Sequence, residues 1–183
     1  MDMYLRRISE DEIEETYTLY LEVFEWLRSK GIVQWLVPIS EAQFRQRQSR
    51  GEIFALIMGD NISAIATLSK EVHNEWVADM PAGAHWWMKS LAVKRDFAGT
   101  GIGRQMMAEC EKRIAGHGGE ELYLDCVDGS MLDKLYTELG YETIARRHIP
   151  HGAVEPFHMV LMRKLLPANA ALRHNALLAM SES

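Results

Sequence analysis

The chain has 183 residues, 48% apolar and 25% charged, which suits one globular domain whose core needs neither disulfides nor metals. A formal net charge of −6 argues against nucleic acid as the main partner, and no window approaches the roughly 18 apolar residues of a membrane span. The opening Met-Asp-Met-Tyr-Leu-Arg-Arg lacks a signal-peptide pattern, so a cytoplasmic protein with reduced, buried Cys110 and Cys126 is expected.

Tyr4 to Arg7 predicts a first strand, and Ser9 with Glu12 forms a capping box for the helix that follows. Ile13, Tyr17, Tyr20, Leu21, Phe24 and Leu27 recur at helical spacing through about Arg28. Gly31 ends that helix, and the apolar loop Ile32-Val33-Gln34-Trp35-Leu36 leads to Pro38. A polar helix follows Ser40, over Glu41 to Arg50. Ile53 to Met58 and Ile62 to Leu68 read as a hairpin turning at Gly59-Asp60-Asn61. Glu71 to His85 is a loop, and Trp86 to Val93 is the next strand. Ile102, Met106, Cys110 and Ile114 step by four, giving a helix that Gly116, Gly118 and Gly119 end.

Leu122 to Val127 continues as a strand, and Leu132, Leu135, Tyr136 and Leu139 mark a short helix closed by Gly140. Tyr141 to Ala145 and Phe157 to Met162 complete the pattern. The order β-α-α-β-β-β-α-β-α-β-β describes an α/β domain with a mixed sheet, over residues 1–165. Residues 166–183 form a tail in which Ala170 to Met180 has the composition of a short helix.

Charge is unevenly spread. Ile8 to Leu27 holds seven carboxylates without Lys or Arg, and Glu71 to His85 holds three more. From Trp86 to Ala108, Lys89, Lys94, Arg95 and Arg104 face only Asp96. An anionic ligand suits the basic segment, and a cationic one suits the acidic segments.

The basic segment contains Leu91-Ala92-Val93-Lys94-Arg95-Asp96-Phe97-Ala98-Gly99-Thr100-Gly101-Ile102-Gly103-Arg104. A strand runs into three alternate glycines where a helix starts, so backbone N–H groups and the helix dipole favour a phosphate there. A P-loop is excluded because no Lys-Ser or Lys-Thr follows the glycines. A dinucleotide fingerprint is excluded because Arg104 and Met106 occupy the positions where its last glycine would fall. A glycine-rich turn with no ligand remains the structural alternative.

These residues resemble the GNAT superfamily of N-acyltransferases, whose cofactor motif Arg/Gln-x-x-Gly-x-Gly/Ala follows a Leu-Ala-Val strand. Leu91-Ala92-Val93 and Gly101-Ile102-Gly103 match, Gly99 stands where relatives often have glycine, and Ala98 replaces the usual Arg or Gln. Leu122-Tyr123-Leu124-Asp125-Cys126 resembles the family's fifth strand. Leu135-Tyr136-Thr137-Glu138-Leu139-Gly140-Tyr141 resembles its Leu-Tyr-x-x-x-Gly-Phe segment. Trp26-Leu27 and Gln34-Trp35 are similar to the first-helix region of one small-molecule branch.

The resemblance, over roughly residues 4 to 162, implies a mixed, mostly antiparallel central sheet flanked by helices, with the fourth and fifth strands splayed. It implies acetyl-CoA held by Leu91, Ala92, Val93, Ala98, Gly99, Thr100, Gly101, Ile102, Gly103 and Arg104. Ser130 stands in for a helix-start Asn. Tyr136 matches the tyrosine that protonates the departing thiolate, and Trp35, Trp76 and His85 are the expected acceptor contacts. Where some relatives carry a basic Glu, this chain has Lys89, leaving Asp125, Glu71, His73, His85 or a water chain to take the amine's proton. His148 and His151 read as surface residues, and no metal is expected. The implied reaction acetylates the primary amine of a small, cationic molecule by direct attack. Acetylation of a protein or peptide amine, or acyl-CoA binding without turnover, are the alternatives, and a homodimer is compatible with either.

Overall fold

The computed structural model describes residues 2–35, 37–72, 76–83, 85–149 and 157–167. Seven strands form one sheet: β1 (Met3–Arg7), β2 (Ile53–Met58), β3 (Asn61–Ser69), β4 (Trp86–Val93), β5 (Glu121–Val127), β6 (Glu142–Ile149) and β7 (Phe157–Leu165). Their order is β1-β2-β3-β4-β5-β7-β6, antiparallel throughout except between β4 and β5. Four helices flank it: α1 (Ile13–Ser29), α2 (Glu41–Ser49), α3 (Ile102–Gly116) and α4 (Met131–Glu138). None of the described helices is long and apolar enough to cross a membrane.

The strand period of two divides the core between the two faces of the sheet. Leu56, Ala64, Met88, Leu122, Leu124 and Cys126 point toward α3 and α4, where Met106, Cys110, Ile114 and Tyr136 cover them. Ile53, Ala55, Ile65 and Ala92 point toward α1 and α2, against Leu19, Tyr20, Val23 and Phe44. Trp76, Trp87, Tyr123 and Leu161 extend this second face beside the long β3–β4 connection. The capping box at Ser9 forms as the sequence suggests, and Ser40 begins α2 with a second one, its Oγ accepting from the Gln43 amide at 3.2 Å.

The largest difference from the sequence expectation is β6, which runs to Ile149 rather than stopping at Ala145. It is the outermost strand and mostly exposed, so Arg146, Arg147 and His148 leave no apolar alternation to read. Its extent is set by the ladder to β7, from Glu142↔Arg163 to Ile149↔Phe157. The predicted tail helix and the domain boundary after residue 165 concern a segment that, beyond Pro167, lies outside the described residues.

Candidate active site

β4 and β5 pair only at Trp86↔Leu122 and Trp87↔Tyr123. Past these rungs β4 turns away, and its pairing with β3 shows why. Thr67 faces Lys89 and Ile65 faces Ala92, so Ser90 and Leu91 together oppose the single residue Ala66. This is a β-bulge, which bends a strand and increases its twist. Ser90 sits in the left-handed region at φ 53°, alone among the described non-glycine residues, at a cost of about 1–2 kcal/mol. Nothing in the sequence marks the bulge, because serine stands where glycine would have signalled it. The diverging strands open a cavity of about 830 Å³.

One side of this cavity lies on the α3/α4 face. Leu91, Val93, Gly103, Leu124, Leu132 and Tyr136 line it. Gly99 and Gly101 have φ values of 75° and 87°, which L side chains adopt only with strain, and a Cβ at either would meet open space. α3 begins with the Gln105 amide donating to the Gly101 carbonyl. The amides of Ile102, Gly103 and Arg104 meet no protein acceptor among the described residues. Three free donors at a helix start suit a pyrophosphate. Arg95 lines the same region, its guanidinium carbon 3.8 Å from the centre of the Trp26 ring. Lys94 lies outside the cavity. Arg104 pairs with Glu138 of α4.

Tyr136 is 5% exposed, lines the cavity, and makes no hydrogen bond through its hydroxyl among the described residues. Burial, then Cys126 and Asp125, hold its phenol well above the ordinary tyrosine range. Cys126, fully buried, has its thiol pushed up to about 12 by the same desolvation, as does Cys110. Neither cysteine is a thiolate near neutral pH. Ser130 lines the cavity and caps α4, its Oγ accepting from the Asp133 amide at 3.2 Å.

The other side lies on the α1/α2 face. Asp125 is two residues from Tyr123 on β5 and shares its face, and Trp76 Nε1 donates to Asp125 Oδ2 at 2.8 Å. Lys89 is two residues from Trp87 on β4 and only 7% exposed. Its ammonium makes no hydrogen bond or ion pair among the described residues, and burial, followed by the nearby Arg47, lowers its pKa to about 8. Arg47 reaches from α2 and donates to Ser90 Oγ at 3.3 Å, and burial lowers its pKa as well. Trp35 stacks on Tyr20 at 5.0 Å to form an apolar wall. Gln34 bridges to β5, its Nε2 donating to the Asp125 carbonyl at 3.5 Å and its Oε1 accepting from the Val127 amide at 3.2 Å.

Several expectations change. The acidic stretch that motivated a cationic acceptor faces elsewhere, since Asp11, Glu14, Glu15 and Glu22 line a separate surface depression with Lys94. Lys89, counted with the basic segment, belongs to the opposite face because Lys89 precedes the bulge. His85 is not among the cavity-lining residues. It precedes β4 at the closed end of the gap, with Nε2 3.1 Å from the Pro81 carbonyl and its ring against Tyr123. Glu71 is also outside the cavity, 3.6 Å from Arg50, and His73 and His151 lie outside the described residues. Among the described residues, Asp125 is therefore the one of these proton-acceptor candidates that lines the cavity. Trp35 and Trp76 both line it, although Trp76 is a core residue whose polar edge holds Asp125. Ala92 packs in the core of the α1 face, Ile102 packs in that of the α3 face, and Ala98, Gly99 and Thr100 form the exposed turn before α3. Arg47 and Tyr20 carry no sequence signal, because their role depends on how α1 and α2 cross β4. Among the described residues no group of three or more potential metal ligands is assembled.

Residues 12–141 match the model of the Acetyltransferase (GNAT) family. Over 150 residues the chain is 25% identical to the uncharacterized N-acetyltransferase YesJ of Bacillus subtilis, covering 72% of this chain and 77% of that protein. The fold superposes on a GNAT-family acetyltransferase structure from Listeria monocytogenes with a TM-score of 0.73 at 18% identity, covering 90% and 95% of the two chains. It also superposes on YncA, a putative acetyltransferase from Salmonella typhimurium solved with acetyl-CoA, with a TM-score of 0.67 at 12% identity over 91% and 95%.

Proposed function

The chain belongs to the GNAT acetyltransferase family, and from that premise we propose that it moves the acetyl group of acetyl-CoA to the primary amine of a small molecule by direct attack. The observation that carries the reading is the continuous cavity through the β4–β5 gap. It runs from Gly103 at the start of α3, past Tyr136, to Asp125 on the opposite face.

Bound acetyl-CoA supplies the activated acetyl group as a thioester. The amides of Ile102, Gly103 and Arg104 would hold its pyrophosphate, and the β4 edge beyond Trp87, unpaired with β5, would be open to the pantetheine amides. A backbone N–H near Leu91 would be the donor for negative charge developing on the thioester oxygen. Asp125 takes a proton from the acceptor's ammonium, so the neutral amine attacks. Tyr136, held protonated by burial, would give its proton to the departing sulfur and would be restored by the proton that the attacking nitrogen loses, while the proton on Asp125 passes to solvent. Overall, a C–N bond replaces a C–S bond and one proton leaves to solvent.

Two features favour direct transfer to a small acceptor over the alternatives. The cysteines are buried thiols, which disfavours a covalent enzyme intermediate. The Gln34 side chain occupies the β5 edge that an extended peptide acceptor would use for main-chain pairing. The test is incubation with acetyl-CoA and a panel of primary amines, with products identified by mass. An N-acetylated amine is expected. Acetyl-CoA binding with no acetylated amine from the panel would overturn transfer to small amines and favour a binding module.

A further inference from the structure

The acceptor half of the cavity holds more positive than negative charge. On the α1/α2 face its ionisable lining among the described residues is Arg47, Lys89 and Asp125. Asp125 is already engaged by Trp76. Lys89 is buried to 7% exposure with no ion pair or hydrogen bond of its own among the described residues, and Arg47 has only the Ser90 hydroxyl. Both cations line the same cavity, and the charge of Arg47 disfavours a second charge on Lys89. Burial, followed by Arg47, holds the Lys89 pKa below its ordinary value, and burial lowers that of Arg47, against the pull of Tyr20, Glu71 and Glu52. Such an arrangement is stabilised when an anion enters between them, because charge-assisted hydrogen bonds then replace lost hydration.

Taking the transfer reading as given, we infer that the acceptor is an amine that also carries a compact oxyanion such as a carboxylate, held by Arg47 and Lys89. Asp125 then receives the amine, so the acceptor is bound as a zwitterion. The remaining walls set its body. Tyr20, Trp35, Ile149, Phe157 and Met159 are apolar or aromatic and line the same cavity. An amino acid with a large apolar side chain fits this combination, with its ammonium at Asp125, its carboxylate at the two cations and its side chain against the aromatic wall.

The geometry also explains why charge counting along the sequence misleads. The acidic residues of α1 lie on its outer surface, whereas the two cations lie on α2 and β4, brought together by the bulge at Ser90.

The experiment compares apolar amino acids with their amides and with the corresponding decarboxylated amines, measuring kcat/KM at pH 7. Binding of the N-acetylated amino acids and of their amides is measured in parallel by calorimetry on the CoA-loaded protein. The carboxylates should be preferred by at least about tenfold in both measurements, the scale of one charge-assisted hydrogen bond. In Lys89→Met and Arg47→Gln this preference should shrink toward unity, while Arg47→Lys retains part of it. Both variants should fold and keep their acetyl-CoA affinity, since neither side chain lines the α3 end, and Lys89→Met should melt no lower than the parent protein. Equal use and equal binding of amides and carboxylates, or a preference that survives both substitutions, would overturn the inference. Carboxylate-selective binding without turnover of any acceptor would uphold the anion site and instead contradict the transfer reading.

Discussion

Trp76 donates its indole N–H to Oδ2 of Asp125 at 2.8 Å, tying the long β3–β4 connection to the acceptor face of β5. The indole is 1% exposed, whereas Asp125 lines the cavity, so the bond is part-buried. Trp76→Phe removes the donor of this hydrogen bond and keeps most of the ring. Stability should fall by about 1–3 kcal/mol, read from urea denaturation. The acceptor KM should rise while acetyl-CoA affinity holds. A variant with unaltered KM would show that Asp125 does not receive the amine.

Tyr136→Phe separates acid catalysis from packing. Its hydroxyl has no protein partner among the described residues, so removing it should change the melting temperature little. General acid catalysis contributes about 10²–10⁴-fold, and at a cavity open to water part of that is recoverable, so kcat should drop at least about tenfold. Wild-type kcat in this variant would assign the whole rate to positioning and the oxyanion donor.

The proposed acceptor site should respond to pH through Lys89. The groups acting on it are Arg47, Glu71, Asp125 and Glu52, and burial outweighs them. With a folded pKa of about 8, below the ordinary 10.5, the unfolded chain holds this proton more tightly than the folded one. Its contribution therefore destabilises the fold in full below about pH 8 and is relieved as pH climbs toward 10.5. The stability gained by Lys89→Met should accordingly be largest at neutral pH and shrink above pH 8. For a carboxylate acceptor the wild-type KM should rise through pH 8, and that rise should vanish in Lys89→Met.

Gly101→Val tests the turn before α3. A Cβ there meets open space, so steric clash is not the cost. The φ of 87° is, and a β-branched residue should destabilise the fold by about 1–3 kcal/mol. The backbone shift that relieves this strain also misdirects the first amides of α3, so calorimetry should show acetyl-CoA affinity lowered by an order of magnitude or more. Gly103→Ala has an ordinary van der Waals neighbour, Val93 Cγ2 at 3.6 Å, and should fold normally.

Much of the fold was legible because each long element follows one period. The stripe from Ile13 to Leu27 and the step of four from Ile102 to Ile114 specify α1 and α3 directly. The glycines at 99 and 101 announce the turn because the backbone there requires positive φ. The acceptor face was not legible, for a physical reason. Its residues come from α1, α2, β4, β5 and the β3–β4 connection, and their meeting depends on a bulge at a serine. β6 escaped for a related reason, since ladder hydrogen bonds rather than burial define its length.

Direct transfer across the β4–β5 gap is tested most simply by counting CoA released in the first turnover, with and without an amine acceptor. No thiol should appear from acetyl-CoA and protein alone, and with acceptor CoA and N-acetylated product should form together, one for one. A burst of one CoA per protein molecule without acceptor would reveal an acetyl-enzyme and contradict the account. Continuous acceptor-independent release would mark a thioesterase and contradict it equally.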